Sequence, residues 1–284
     1  MNSFRTFILM LVLIVLFVWV GQFLGGQTGM ITAFFMALIM NFATYWFSDK
    51  IVLMMYRAKE VKQNEATNLY SLVANVSQQA QMPMPKIYMI ESPAPNAFAT
   101  GRSPAHSAVA FTSGILSLLD NRELSGVIAH ELSHIKNRDT LISVMAASIA
   151  GAIFMLARMA QWAMMFGGMG SRDDNNRGGG MLALVLVIIA PIAAMVIQLA
   201  ISRAREYVAD ESAAKISGDP LALANALRKL TEITKRVPMN SNPATAHLFI
   251  VNPLKAENLL SLFSTHPPIN ERIRRLESLT GLHV

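Results

Sequence analysis

Four long apolar runs constrain this sequence more than any other feature. They lie at residues 6–24, 31–47, 139–166 and 181–201. A helix that crosses a bilayer needs about 20 mostly apolar residues, within a range of about 17–25. The first and last runs fit well, the second is short, and the third fits if Arg158 extends its long side chain to an interface. The runs therefore predict four transmembrane helices.

The remaining composition agrees with a membrane protein. Only 15% of the residues are charged and 53% are hydrophobic, whereas a soluble domain carries about 25% charged residues. For so apolar a chain, the net charge of +6 suits an anionic membrane face better than nucleic acid. The sequence has no cysteine, which excludes disulfide-stapled folds, cysteine-ligated metals and thiol nucleophiles.

Basic residues are distributed unevenly around the runs. The turn at 21–29 has none, and the two arginines of the turn at 167–180 are offset by two aspartates. The opposite ends are richer in Lys50, Arg57, Lys59, Lys62, Lys136, Arg138, Arg203 and Arg205. Because cytoplasmic loops carry the excess of Lys and Arg, we expect two helical hairpins that enter from the cytoplasm, with both termini and all the polar sequence on that side. A cleaved signal peptide would explain the first run, but no suitable cleavage site follows it.

The polar sequence predicts one domain interrupted by a hairpin. We expect a first hairpin at 4–48, a first half-domain at 49–138, a second hairpin at 139–201 and a second half-domain at 202–284. The two halves together make about 170 residues, a normal domain size. Short strands are predicted at 86–90, 97–100 and 108–112, and helices at 60–80, after Asp120, and at 202–217, 220–236 and 268–279. The fold class is thus α+β, mostly helical, with a small sheet.

One motif carries recognisable chemistry, the sequence His130-Glu131-Leu132-Ser133-His134. Residues i and i+4 share a face of a helix, so both imidazoles can reach one metal ion. Glu131 projects beside the open position of the metal, where it can take a proton from a metal-bound water. The preceding Asp120 is a candidate N-cap, with Glu123 in the position of a capping box.

Such a site needs a third protein ligand. Glu206 and Asp210 follow the fourth run and share a helix face, so one can bind the metal while the other accepts the free N–H of a ligand histidine. Glu211 and Asp139 are weaker candidates. A charged interfacial helix end would explain the same stretch.

At these residues the chain resembles the HtpX-type membrane-bound zinc endopeptidases, distant relatives of the CAAX prenyl proteases. The resemblance rests on 130–134, on Glu206-Tyr207-Val208-Ala209-Asp210, on 96–101 and on Ser264-Thr265-His266-Pro267-Pro268. It implies a gluzincin-like zinc peptidase domain on the cytoplasmic side, with one Zn²⁺ per chain. The implied ligands are His130, His134 and Glu206. The implied general base is Glu131, with Asp210 behind a ligand histidine.

The resemblance also implies a biological setting and a substrate strand. The setting is the bacterial inner membrane, where the family cleaves damaged or misfolded membrane proteins during envelope stress and often cleaves itself. The strand consists of Asn96, Ala97, Phe98 and Ala99. An edge strand offers N–H and C=O groups to an extended peptide, although an ordinary sheet strand fits these residues equally well.

His266 and Arg272 complete the candidate residues. An imidazole near the zinc could stabilise the oxyanion of the reaction, but His-Pro-Pro is also a good helix entry. Arg272 either assists His266 or pairs with Glu271 or Glu277. Both interpretations stay open on the sequence alone.

Three other functions compete with a protease of damaged membrane proteins. A dedicated processing peptidase of the CAAX prenyl protease type would use the same catalytic residues. A non-catalytic membrane scaffold would not need an intact H-E-x-x-H motif. A transporter would need ionisable residues or broken helices at mid-membrane, and only Asn41, Pro191 and Gln198 hint at one.

Overall fold

The computed structural model describes residues 2–143, 203–234, 236, 249–251 and 267–280. The predicted second hairpin, at 139–201, lies outside the described residues beyond residue 143. His266 also lies outside them, so its predicted role stays a prediction.

The chain begins with a helical hairpin, α1, at Asn2–Met55. Its two arms meet at Gly25 and Gly26, where the backbone leaves the helical conformation and Gly26 adopts a φ of 57°, a value that suits glycine. The arms approach closely near this turn, since a Cβ on Gly21 would lie 2.5 Å from the carbonyl oxygen of Gly29. Further along, Asn41 Nδ2 donates to the carbonyl of Met10 at 3.1 Å.

The second arm is the better candidate for a membrane span. Among the described residues, Gly25–Phe47 is long and apolar enough to cross a bilayer, while Met10–Gln22 is a shorter apolar helix. The sequence predicted the opposite, since the first apolar run fits the length of a span well and the second run is short. The difference arises because the second arm follows directly on the turn at Gly25 and Gly26 and so extends the span beyond the apolar run, which begins only at Ile31.

A four-stranded sheet follows the hairpin. Its strands are β1 at Lys59–Glu60, β2 at Lys86–Ile90, β3 at Ala97–Ser103 and β4 at His106–Thr112. The order is β1-β2-β4-β3, with β2 and β4 parallel and the other pairs antiparallel. The three predicted strands are present, β1 is additional, and β3 forms one edge of the described sheet.

Helices pack on this sheet and on one another. They are α2 at Thr67–Gln79, α3 at Ser113–Leu118, α4 at Asn121–Lys136, α5 at 139–143 as far as it is described, α6 at 203–217, α7 at Pro220–Thr234 and α8 at Ile269–Leu279. The predicted capping box of α4 is confirmed, since the Glu123 N–H donates to Asp120 Oδ1 at 2.9 Å and the Asp120 N–H donates to Glu123 Oε2 at 3.1 Å.

The helix α4 is held in the centre of the core. A Cβ on Gly126 would lie 2.7 Å from the backbone nitrogen of Leu223, so α4 and α7 meet almost backbone to backbone. Val127, Ile128 and Leu132 of α4 belong to one apolar cluster with residues of α7, α8, the sheet and segment 249–251. The two polar stretches of the sequence therefore share a core.

Candidate metal centre

The helix α4 presents two imidazoles to one point. His130 is 1% exposed, and its Nε2 atom lies 3.2 Å from Nε2 of His134. Two imidazole nitrogens at this distance need a proton or a metal ion between them, because two unprotonated nitrogens would point their lone pairs at each other. The i, i+4 spacing of the motif produces this arrangement.

The helix α6 supplies a carboxylate to the same point. Oε1 of Glu206 lies 3.4 Å from Nε2 of His134, and Oε2 lies 3.7 Å from Nε2 of His130. Glu206 is buried like His130, whereas His134 is partly exposed. His130, His134 and Glu206 therefore form a group of three donors that could hold a metal ion.

The separations of these donors fit zinc. Zn–N and Zn–O bonds of about 2.0–2.1 Å in a tetrahedral arrangement place neighbouring ligand atoms about 3.3 Å apart. The observed separations are 3.2 Å between the two imidazole nitrogens, 3.4 Å from Oε1 of Glu206 to His134 and 3.7 Å from Oε2 of Glu206 to His130. A pocket opens beside the donors and leaves room for a fourth ligand.

Carboxylates also lie behind both imidazoles. Asp210 Oδ1 is 3.0 Å from Nδ1 of His130, and Asp139 Oδ2 is 3.4 Å from Nδ1 of His134. Such partners fix the ring orientation and direct Nε2 towards a metal. On sequence grounds Asp139 was a possible metal ligand, but its position behind His134 indicates that it orients this imidazole instead. Glu211 points away from the site and pairs with Lys215 on the surface.

Glu131 lies in the pocket beside the donors and is 2% exposed. Burial raises the pKa of its carboxyl group, against the opposing effect of the two histidines and of a hydrogen bond from the Ala99 N–H. A carboxyl group whose pKa lies above the ordinary range is suited to exchanging protons with a substrate.

The charges of the site also shift the pKa values of its other groups. Burial would lower the pKa of His134, but hydrogen bonds to Asp139 and Glu206 outweigh burial and raise it to about 10. These acceptors favour a positive charge at the ring, as a metal ion would provide. Burial would raise the pKa of Asp210, but the charge and hydrogen bonds of Arg272 hold it below its ordinary value.

The predicted substrate strand reaches the pocket only in part. Ala99 lines the pocket, whereas Phe98 packs on Tyr56 and Phe249 with ring centroids 5.8 and 5.3 Å away. The carbonyl of Ala97 accepts a hydrogen bond from the Ile250 N–H at 3.2 Å.

The residue before β3 also forms a hydrogen bond with segment 249–251. Asn96 Nδ2 donates to the carbonyl of Val251 at 3.0 Å. Segment 249–251 therefore covers the first residues of the edge strand β3. Ala99 is the first residue of β3 that lines the pocket.

Arg272 was a candidate residue on sequence grounds, but the sequence did not reveal its contacts with the donor group. Its side chain pairs with Glu206 and Asp210 rather than with its neighbours on α8. Glu271 pairs with Arg275, and Glu277 pairs with Arg228. The predicted pairing of Arg272 with Glu271 or Glu277 was therefore wrong, whereas its predicted assistance to His266 stays a prediction. A possible signal was its spacing of four residues from the buried Leu276, which places a charge on the apolar face of α8.

A buried H-E-x-x-H helix with a carboxylate from a second helix is an arrangement typical of zinc metallopeptidases. The profile of peptidase family M48 matches residues 63–280, and the chain belongs to that family. Proteins named "Protease HtpX homolog" from Syntrophobacter fumaroxidans and Thermodesulfovibrio yellowstonii are 54% and 57% identical to it. Each alignment covers 98% of this chain and 99% of the relative. The predicted family and the predicted metallopeptidase activity are confirmed.

A solved structure supports the fold. The crystal structure of S. mikatae Ste24p is similar, with a TM-score of 0.53 and 21% sequence identity. The similarity covers 86% of this chain, but the chain spans only 57% of Ste24p.

Proposed function

We propose that this chain is an integral-membrane, zinc-dependent endopeptidase whose metal is held by His130, His134 and Glu206. The observation that carries the proposal is the convergence of the three donors at 3.2–3.7 Å, with Glu131 in the adjoining pocket. Two nitrogens, one carboxylate and an open position form the donor set of catalytic zinc sites.

The mechanism assigns one task to each group. Zinc, when bound, supplies a Lewis acid that polarises the scissile carbonyl and acidifies water. Glu131 accepts a proton from the attacking water and then delivers it to the leaving amine. The Ala99 N–H holds the Glu131 carboxylate in place, and Asp210 and Asp139 orient the two imidazoles.

Membrane insertion is supported by the surface of α1. Phe35, Ile39 and Met54 are 58%, 68% and 78% exposed, and so large an apolar surface needs lipid or protein to cover it. At the end of the hairpin, Tyr56 packs on Phe98 and Phe249. Phe249 also lines the pocket, so a membrane-inserted hairpin would place the pocket close to the bilayer.

This position favours substrates that emerge from the membrane, and we propose misfolded or damaged membrane proteins as the substrate class. The test uses the purified chain in detergent with a folded membrane protein, a destabilised variant of it and a prenylated CAAX peptide. We expect preferential cleavage of the destabilised variant, because extended segments are accessible there. Preferential cleavage of the prenylated peptide would support the processing peptidase instead.

We further propose a bacterial inner-membrane topology in which residues 49–138 and 202–284 face the cytoplasm. Single cysteines at Ser71 and Ser278 are then expected to resist an impermeant thiol reagent in intact cells, whereas a cysteine at Ser171 reacts. The chain contains no native cysteine, so each label reports one position. Labelling of S71C but not of S278C from outside would contradict the two-hairpin topology.

A further inference from the structure

We propose that Arg272 is a positioning residue that holds one oxygen of Glu206 and thereby presents the other to the metal ion. Arg272 is fully buried, and its Nη1 atom lies 2.9 Å from Oε2 of Glu206. Oε1 of Glu206 lies 3.4 Å from Nε2 of His134, whereas Oε2 lies further, at 3.7 Å, from Nε2 of His130. The proposal rests on the proposed role of Glu206 as the third ligand.

The guanidinium group is itself fixed on its other side. Nε donates to Oδ2 of Asp210 at 2.8 Å and Nη2 donates to Oδ1 at 2.7 Å, a bidentate pair with defined geometry. The same Asp210 oxygen, Oδ1, lies 3.0 Å from Nδ1 of His130. Arg272 therefore helps to orient two metal ligands on different helices, Glu206 on α6 directly and His130 on α4 through Asp210.

Arg272 also reaches the segment that covers the start of β3. Its Nη1 atom donates to the carbonyl of Ile250 at 3.3 Å, and the Ile250 N–H donates to the carbonyl of Ala97. The fork of five donors makes Arg suited to such a junction, whereas Lys offers a single charged nitrogen.

For the removal of Arg272, the proposal predicts a change in zinc affinity opposite to the change that charge repulsion alone predicts. A guanidinium this close to the donors repels a bound cation, so removal of its charge alone would strengthen zinc binding. Loss of the contact that positions Glu206 weakens zinc binding instead, because the Glu206 carboxylate would then be free to turn or to bind the metal through both oxygens. Changes at residues that orient metal ligands cost about 10–100-fold in affinity or activity.

The experiment measures zinc affinity of the full chain in detergent by competition with a chromophoric chelator. We expect Arg272→Met to lower the affinity about 10–100-fold. The matched control is Arg275→Met on the same helix, because Arg275 is exposed and, among the described residues, its side chain pairs with Glu271 and lies over the Tyr207 ring. The zinc affinity of this variant should equal that of the unchanged chain. The absorption spectrum of the Co²⁺-substituted protein should weaken in Arg272→Met, because a second oxygen of Glu206 raises the coordination number.

Equal or tighter zinc binding by Arg272→Met, or an unchanged Co²⁺ spectrum, would overturn the proposal. If Arg272→Met does not fold, Arg272→Lys carries the same test, because it keeps the charge and loses the fork. Positioning predicts weakened binding for Arg272→Lys, whereas electrostatics alone predicts no change. Glu206→Ala is measured in parallel, since full zinc retention there would refute the ligand assignment itself rather than the role of Arg272.

Discussion

Glu131→Gln is expected to abolish detectable peptide cleavage while the purified chain retains its zinc. Glu131 lies in the pocket beside the three donors, and its carboxylate accepts a hydrogen bond from the Ala99 N–H. The glutamine side chain has the same shape but cannot accept the proton of the attacking water. Loss of a general base costs about 10²–10⁴-fold in rate.

The measurement is the turnover of a fluorogenic peptide together with metal analysis of the same sample. Glu211→Gln is a suitable control, because Glu211 lies on α6 near the site but pairs with Lys215 on the surface. This variant should keep the turnover of the unchanged chain. Full turnover in Glu131→Gln would show that another group is the base.

Glu206→Ala is expected to lose zinc at low micromolar free metal, and Asp210→Ala is expected to keep part of it. Glu206 faces Nε2 of both histidines, and its loss leaves two imidazoles on one helix as an open, weak site. Asp210 faces Nδ1 of His130 and Arg272 but neither Nε2 atom, so its loss should cost about 10–100-fold and be rescued by added zinc.

The two variants are compared by metal analysis at fixed free zinc. Full zinc retention in Glu206→Ala with loss in Asp210→Ala would invert the ligand assignment. Retention in both variants would place the third ligand elsewhere, and His266 would become the next candidate.

Local patterns made the catalytic helix predictable. The Asp120 and Glu123 capping box, the i, i+4 histidines and the short strands each depend on residues close in sequence. Spacing alone therefore predicted both α4 and the convergence of its imidazoles.

The remaining contacts join distant parts of the chain and leave no local signal. Arg272 and Asp210 are 62 residues apart, and the pairing of Ile250 with Ala97 joins segments that sequence spacing does not relate. Asp139 lies five residues after His134, but its place behind the imidazole depends on how the chain turns after α4. Long-range packing decides these contacts, so only the folded structure reveals them.

The central claim, that one zinc ion at the donor group of α4 and α6 performs the cleavage, is tested most directly by metal removal and restoration. The purified chain is stripped with a chelator, its zinc content is measured, and casein digestion is followed before and after zinc is returned. We expect no digestion by the stripped chain and full recovery at roughly one zinc per chain. Undiminished casein digestion by the metal-stripped chain would contradict the account.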